Sequence, residues 1–219
     1  MDADEVLTTT RSVRKRIDLN RSVPLSLIGE CIEIAIQAPT GGNRQGWHFL
    51  VVTDGEKRLR IAELYRKGWN LYRANQVWEF GGEDPRQKRR AAVTSSAQYL
   101  ADHLHEVPVH VIPCIEGRTE NVPLAGVAAR FGSILPAAWS FMLAARARGL
   151  GSSFTSLHLM YEQEAAAILG IPADVTQCAL LPVGYLLGDT LRPALRLPVE
   201  AVTFLDDWGT AFPVGSSPA

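Results

Sequence analysis

Ala38-Pro-Thr-Gly-Gly-Asn-Arg-Gln-Gly-Trp-His-Phe49 is a small polar turn that runs directly into an apolar strand. Pro39 fixes one φ angle, and Gly41 and Gly42 open conformations closed to other residues. Thr40, Asn43, Arg44 and Gln45 crowd hydrogen-bonding groups into the same few positions. Trp47-His-Phe-Leu-Val-Val-Thr53 follows, with the β-branched and aromatic character of a buried strand. Polar side chains and free backbone N–H groups between a helix end and a strand start suit a planar ligand with polar edges. An ordinary αβ connection, in which Gly and Asn only cap a helix, uses the same residues. The turn alone does not choose between the two.

Outward from this turn, helical and strand patterns alternate. Asp4 to Thr9 reads as a short helix, and Pro24 to Ala38 as a helix with apolar residues at Leu27, Ile28, Cys31, Ile34 and Ala35. Glu56 to Trp78 and Arg86 to His105 are helical, separated by the break Phe80-Gly-Gly-Glu-Asp-Pro85. Val107 to Ile115 reads as a strand whose two prolines suit an edge or end position. Pro123 to Arg148 is a long apolar helix with Gly149 as a left-handed cap, and Tyr161 to Leu169 a further helix. Gln177 to Leu187 reads as a buried strand, and Val199 to Leu205 as a last short one. The expected class is α+β, a sheet sandwiched by helices in one domain over 1–219. A lid or variable segment around 66–90, spanning the Phe80–Pro85 break, and a C-terminal extension from about 199 are expected within it.

Composition excludes several functions. The chain has 219 residues, 47% of them hydrophobic, enough for a sizeable core. Its net charge of −1 gives no global pull toward nucleic acid or a membrane surface. Cys31, Cys114 and Cys178 lie far apart in apolar contexts, which argues for buried thiols and a cytoplasmic protein. No His, Cys and carboxylate spacing forms a metal site. His48 and His110 read as satisfied strand histidines. Phe131 to Ala145, interrupted by Pro136, is shorter than the about 20 residues a membrane span needs. A helix apolar nearly all round must be covered on every side, which is easier with a second copy of the chain.

Five motifs in order carry a resemblance. Arg11-Ser-Val-Arg14 resembles the "RRSVR" signature of the nitroreductase family, the FMN-dependent NAD(P)H oxidoreductases. Ala38 to Trp47 is similar to that family's "APSxxNxQPW" element, Arg148-Gly-Leu-Gly-Ser152 to its "GLGs" turn, and Leu181-Pro-Val-Gly-Tyr185 to its "PxGY" strand. Arg192-Pro-Ala-Leu-Arg-Leu-Pro198 resembles its late basic segment. The resemblance implies a mostly antiparallel sheet and an intertwined homodimer with FMN at the interface.

Carried over by position, Arg11, Ser12 and Arg14 would hold the ribityl phosphate and the N1/O2 edge. Pro39, Thr40, Gly41, Asn43 and Gln45 would come from the partner copy. Thr155 and Ser156 would lie along the ring near N5, and Arg196 would reach the phosphate. No catalytic side chain is implied, because flavin N5 carries the chemistry. NADPH or NADH would then reduce the flavin, and nitroaromatics, quinones or other flat acceptors would reoxidise it in a ping-pong cycle.

Trp69, Tyr72 and Trp78 fall where relatives shape the substrate pocket, although a helical-core role fits them equally. Three departures stand out: Thr10 replaces the first Arg of the pair, Ala194 replaces a Lys, and Gly46 replaces the Pro before Trp47, from which a looser turn is expected. The alternatives are a non-turnover flavin store or sensor, and a flavin-fragmenting or dehalogenating specialist.

Overall fold

The computed structural model describes residues 1–75, 84–188 and 190–213. The helices are α1 (Ala3–Thr9), α2 (Leu25–Ala35), α3 (Gly55–Ala74), α4 (Pro85–His103), α5 (Leu124–Ala147) and α6 (Glu162–Leu169). The strands are β1 (Trp47–Val52), β2 (Val109–Glu116), β3 (Leu150–Ser152), β4 (Val175–Gln177) and β5 (Leu181–Tyr185). They form one sheet in the order β1-β2-β5-β3, with β4 beside the far half of β2. Every pairing is antiparallel.

Alternation along β2 sends its side chains to two cores. Val109 and Val111 join Phe141 and Met142 of α5 and Ile28 and Cys31 of α2. Ile112 and Cys114 join Ile61, Leu64 and Tyr65 of α3, Leu100 of α4 and Ala165 of α6. The sheet is therefore covered by helices on both faces, as the patterning requires.

Three expectations are corrected. The strand containing Pro113 lies in the middle of the sheet. Its ladder passes from β5 at Val109–Val111 to β4 at Cys114–Glu116, and Pro113 falls in the gap between them. Its carbonyl accepts from the Cys178 N–H at 2.9 Å, so the donor it lacks points where no ladder bond is needed. The expected strand Gln177–Leu187 is two strands separated by this same crossing. Val199–Ala201 forms a 3₁₀ turn, and only Phe204 pairs, in a bridge to Ala211.

Gly149 takes φ 77°, the left-handed cap its position calls for. α5 is longer than its uncharged stretch. At 24 residues, with mean hydropathy 1.3 in its most apolar window, it is long and apolar enough to cross a membrane. Packing, rather than length, identifies it as a core helix: Ile134, Ala138, Phe141 and Ala145 are fully buried against the sheet and α2. Its other face leaves Ala125, Ala128, Gly132, Leu135 and Trp139 exposed at helical spacing.

Candidate functional site

The arginine segment lies across β3 and β5. The Val13 N–H donates to the Ser152 carbonyl at 2.8 Å, the Asp18 N–H to Tyr185 at 2.8 Å, and the Leu187 N–H to Arg16 at 2.7 Å. Gly151 and Gly184, one from each of two motifs, are direct partners in the β3–β5 ladder. A Cβ on Gly151 would meet Val13 at 2.9 Å, and one on Gly184 would meet Ile17 at 2.6 Å. Both positions are glycine because the arginine segment passes over them.

With Val13 and Ile17 buried, the alternating residues point elsewhere. The Arg14 guanidinium donates to Ser96 Oγ at 3.1 Å and lies beside Tyr65, whose hydroxyl accepts from Thr155 Oγ1 at 3.3 Å. Burial pulls the Arg14 pKa down and pushes the Tyr65 pKa up. Among the described residues Arg14 has no carboxylate partner, so a half-buried cation stands beside two hydroxyls and a phenol. Such a charge suits an anionic or electron-rich ligand edge.

Arg11 donates to the Arg192 carbonyl at 2.6 Å, with the Arg89 and Arg196 charges close enough to act on it. Ser12 and Ser156 are exposed. Thr10 cannot stand in for the missing arginine: its hydroxyl donates to the Val6 carbonyl at 2.6 Å and its side chain is buried at the end of α1.

The polar turn sits at the other edge, between β1 and α5. Gly41–Asn43 forms a 3₁₀ turn with Gly42 at φ 61°, and Asn43 and Gln45 take φ 53° and 52°. Two non-glycine residues in the left-handed region within one turn are costly and need fixing. The Gln45 N–H donates to Thr40 Oγ1 at 3.1 Å, and the Gln45 side-chain amide to Asn43 Oδ1 at 3.1 Å. The Gly41 N–H donates to Ser133 Oγ on α5 at 3.0 Å. Pro39 is exposed at the entry to the turn.

Gly46 is tied to β2. Its carbonyl accepts from the Glu116 N–H at 2.9 Å, and a Cβ there would lie 3.2 Å from the Glu116 carboxylate. A cavity of about 630 Å³ opens between this turn and α5, with Thr40, Arg44, Glu116 and Arg130 in its wall.

The structure thus gathers Arg14, Tyr65, Ser96 and Thr155 at one edge, and Thr40, Gly41, Asn43, Gln45 and Ser133 at the other. β1 and β3 are the opposite edges of the sheet, so three strand spacings, roughly 14 Å, separate them. Among the described residues no hydrogen bond joins the two groups.

Trp69 is buried, donates its indole N–H to Gln98 Oε1 at 2.8 Å and packs in the α3 core, which supports the helical-core reading for it. Tyr72, half-buried, lies with its ring centroid 5.9 Å from that of Trp69. Trp78 lies outside the described residues. Tyr65, Ser96 and Ser133 were not singled out from the sequence. Each is a mid-helix residue whose partner across the fold lies 82 or more positions away, and no local motif marks it.

The histidines divide by burial. His48 reaches Glu116 at 3.2 Å across the strand pair, at the surface. His110 is fully buried, with Nε2 2.9 Å from the Leu104 carbonyl, and burial drives its pKa down to about 4. His158 is fully buried too, and burial with His110 nearby takes it to about 3. No cluster of three or more potential metal ligands occurs among the described residues.

Comparison with known proteins bears on the family and the fold. A putative NADH dehydrogenase/NAD(P)H nitroreductase of Methanothermobacter thermautotrophicus is 27% identical over 187 residues, covering 84% of this chain and 78% of its own. An iodotyrosine dehalogenase 1 homologue of Caenorhabditis elegans is 26% identical over 192 residues, 85% of this chain and 56% of its own. The crystal structure of the FMN-dependent nitroreductase NfnB from Mycobacterium smegmatis in complex with NADPH superposes with a TM-score of 0.66 at 23% identity, covering 94% of this chain and 98% of that one. The nitroreductase family model matches residues 7–185, a span that takes in the arginine segment, the polar turn and both glycine motifs. With the antiparallel sheet and its helical layers, that match makes the chain a member of the nitroreductase family.

Proposed function

We propose that the chain is an FMN-dependent NAD(P)H oxidoreductase that works as a homodimer, with each flavin held between the arginine edge of one copy and the polar turn of another. The observation that carries this reading is the separation of the two polar groups. Each is ordered, yet they occupy opposite edges of one sheet. A second copy is the simplest way to bring them together, and the uncovered apolar stripe on α5 supplies a surface for it. α5 also carries Ser133, which anchors the turn, so the dimer contact and the turn are continuous.

Bound FMN would supply hydride acceptance and release at its N5, and this chain's residues would bind and tune it. Arg14 would face the N1/O2 edge, where negative charge builds on reduction, and with no carboxylate partner among the described residues its charge is available. Ser12, Arg11 and Arg196 would take the phosphate, without help from Thr10. Thr155 and Ser156 would line the ring near N5. From the second copy, Pro39, Thr40, Gly41, Asn43 and Gln45 would close over the ring and its tail. The nicotinamide and then a flat acceptor, a nitroaromatic or a quinone, would use the same face in turn. Three buried, unpaired cysteines fit a reducing cytoplasmic setting.

The test is an absorption spectrum of the purified protein with FMN, taken before and after anaerobic NADPH or NADH. Bound-flavin bands that bleach with either nucleotide and return with a quinone are expected. Bound flavin that neither nucleotide bleaches would replace the enzyme with a storage or sensing protein.

A further inference from the structure

A second anionic group has a place ready beside the arginine edge. Arg11, Arg16, Arg89 and Arg192 line one cavity with Thr190 and Leu195, and no carboxylate among the described residues lines it. Arg196 is close enough to act on the Arg11 charge. Two of these cations are fixed in place. Arg16 donates to the Leu187 and Thr190 carbonyls at 2.7 and 2.8 Å, and Arg11 to the Arg192 carbonyl. Carbonyl acceptors orient a guanidinium without cancelling its charge.

Arg89, on the first turns of α4, and Arg192 are exposed, with no salt bridge to a described residue. The acid that caps α4, Asp84, is already occupied by Arg86 at 2.6 Å. Burial first, and then the Arg89 and Arg196 charges, hold the Arg11 pKa below its ordinary value.

One phosphate monoester carries about −1.5 to −2 charges at neutral pH and so neutralises about two of these five cations. The FMN phosphate of the proposed site therefore leaves a positive patch at its side that no acidic residue among the described residues of the cavity matches. Resting on that flavin reading, we infer that Arg89 and Arg192 form a subsite for the 2′-phosphate of NADPH, making the chain selective for NADPH over NADH. The two dinucleotides differ only in that phosphate. It lies on the adenosine half, away from the nicotinamide, which fits a cationic patch displaced along the segment from the ring-side Arg14. The planar fork of arginine matches its oxygens.

The experiment titrates the FMN-supplemented protein with adenosine 2′,5′-bisphosphate and, separately, adenosine 5′-monophosphate by calorimetry. The bisphosphate is expected to bind roughly ten- to a hundredfold more tightly. Arg89→Gln and Arg192→Gln should each lose most of that preference without changing the flavin absorbance. Equal binding of the two probes to the unmodified protein, or a preference that survives both substitutions, would overturn the subsite. The same sample reports the flavin reading separately: absence of bound-flavin absorbance would sink that reading, while the bisphosphate preference is still measured on its own.

Discussion

The arginine edge and the polar turn reach a comparable density of polar groups by opposite means. The turn is local: the Gln45 bonds to Thr40 and Asn43 span five residues or fewer, and one further bond ties Gly41 to α5. The arginine edge is assembled from distant parts of the chain. Arg14 meets Ser96, Thr155 meets Tyr65, and Arg11 meets the carbonyl of Arg192. A turn of the first kind is specified by its own composition. An edge of the second kind exists only when strands, helices and the C-terminal segment are all in place. Perturbation should therefore reach the two edges differently.

Acid should produce the largest difference. His110 and His158 are buried and neutral, and His158 lies two residues after Ser156. Their folded pKa values, about 4 and about 3, lie below the ordinary 6.5. The unfolded chain therefore binds protons first, and the stability these groups contribute is complete above about pH 6.5 and is lost as pH falls toward 4. Two such groups give a slope of up to about 2.7 kcal/mol per pH unit. Unfolding midpoints measured from pH 7 to 4 should fall steeply, and hydrogen exchange should show residues 153–161 opening before residues 38–46. Simultaneous opening of both would break the contrast.

Arg14→Ala should come next, weakening FMN binding by roughly ten- to a hundredfold in a fluorescence titration, because a charge-assisted contact is lost. An unchanged affinity would remove Arg14 from the site. Gly184→Ala sharpens the comparison through packing. Its Cβ would press on Ile17 at 2.6 Å and on the Asp18 carbonyl at 3.2 Å, costing about 1–3 kcal/mol in denaturant unfolding. Gly41→Ala, whose nearest neighbour would be Ser133 at 3.7 Å, should cost much less. The smallest effect is Ser133→Ala, about 1 kcal/mol, from the lost Gly41 anchor.

The same contrast explains what the sequence made legible. Pro39, Gly41, Asn43 and Gln45 stand within one short stretch, so their chemistry could be read directly from it. The α+β class, a sheet between helical layers, followed from the alternating patterns. Tyr65, Ser96 and Arg89 could not be read, because nothing near them in the chain announces a partner across the fold. The central position of Val109–Glu116 was hidden for a related reason: a proline suggests an edge until the crossing from β5 to β4 supplies a gap for it. Gly151 and Gly184 were visible as motifs, but the segment that needs them lies more than a hundred residues away.

Complementation between the two edges tests the two-copy site most directly. Arg14→Ala and Asn43→Ala chains, each deficient in flavin binding on its own, would be co-expressed with different affinity tags, and the mixed dimer isolated. If each site draws one edge from each copy, the mixed dimer holds one site with both defects and one with neither. It should then bind FMN and oxidise NADPH at about half the wild-type level per dimer. A mixed dimer as deficient as its two parents would mean that both edges serve a site within one chain, and would contradict the shared site.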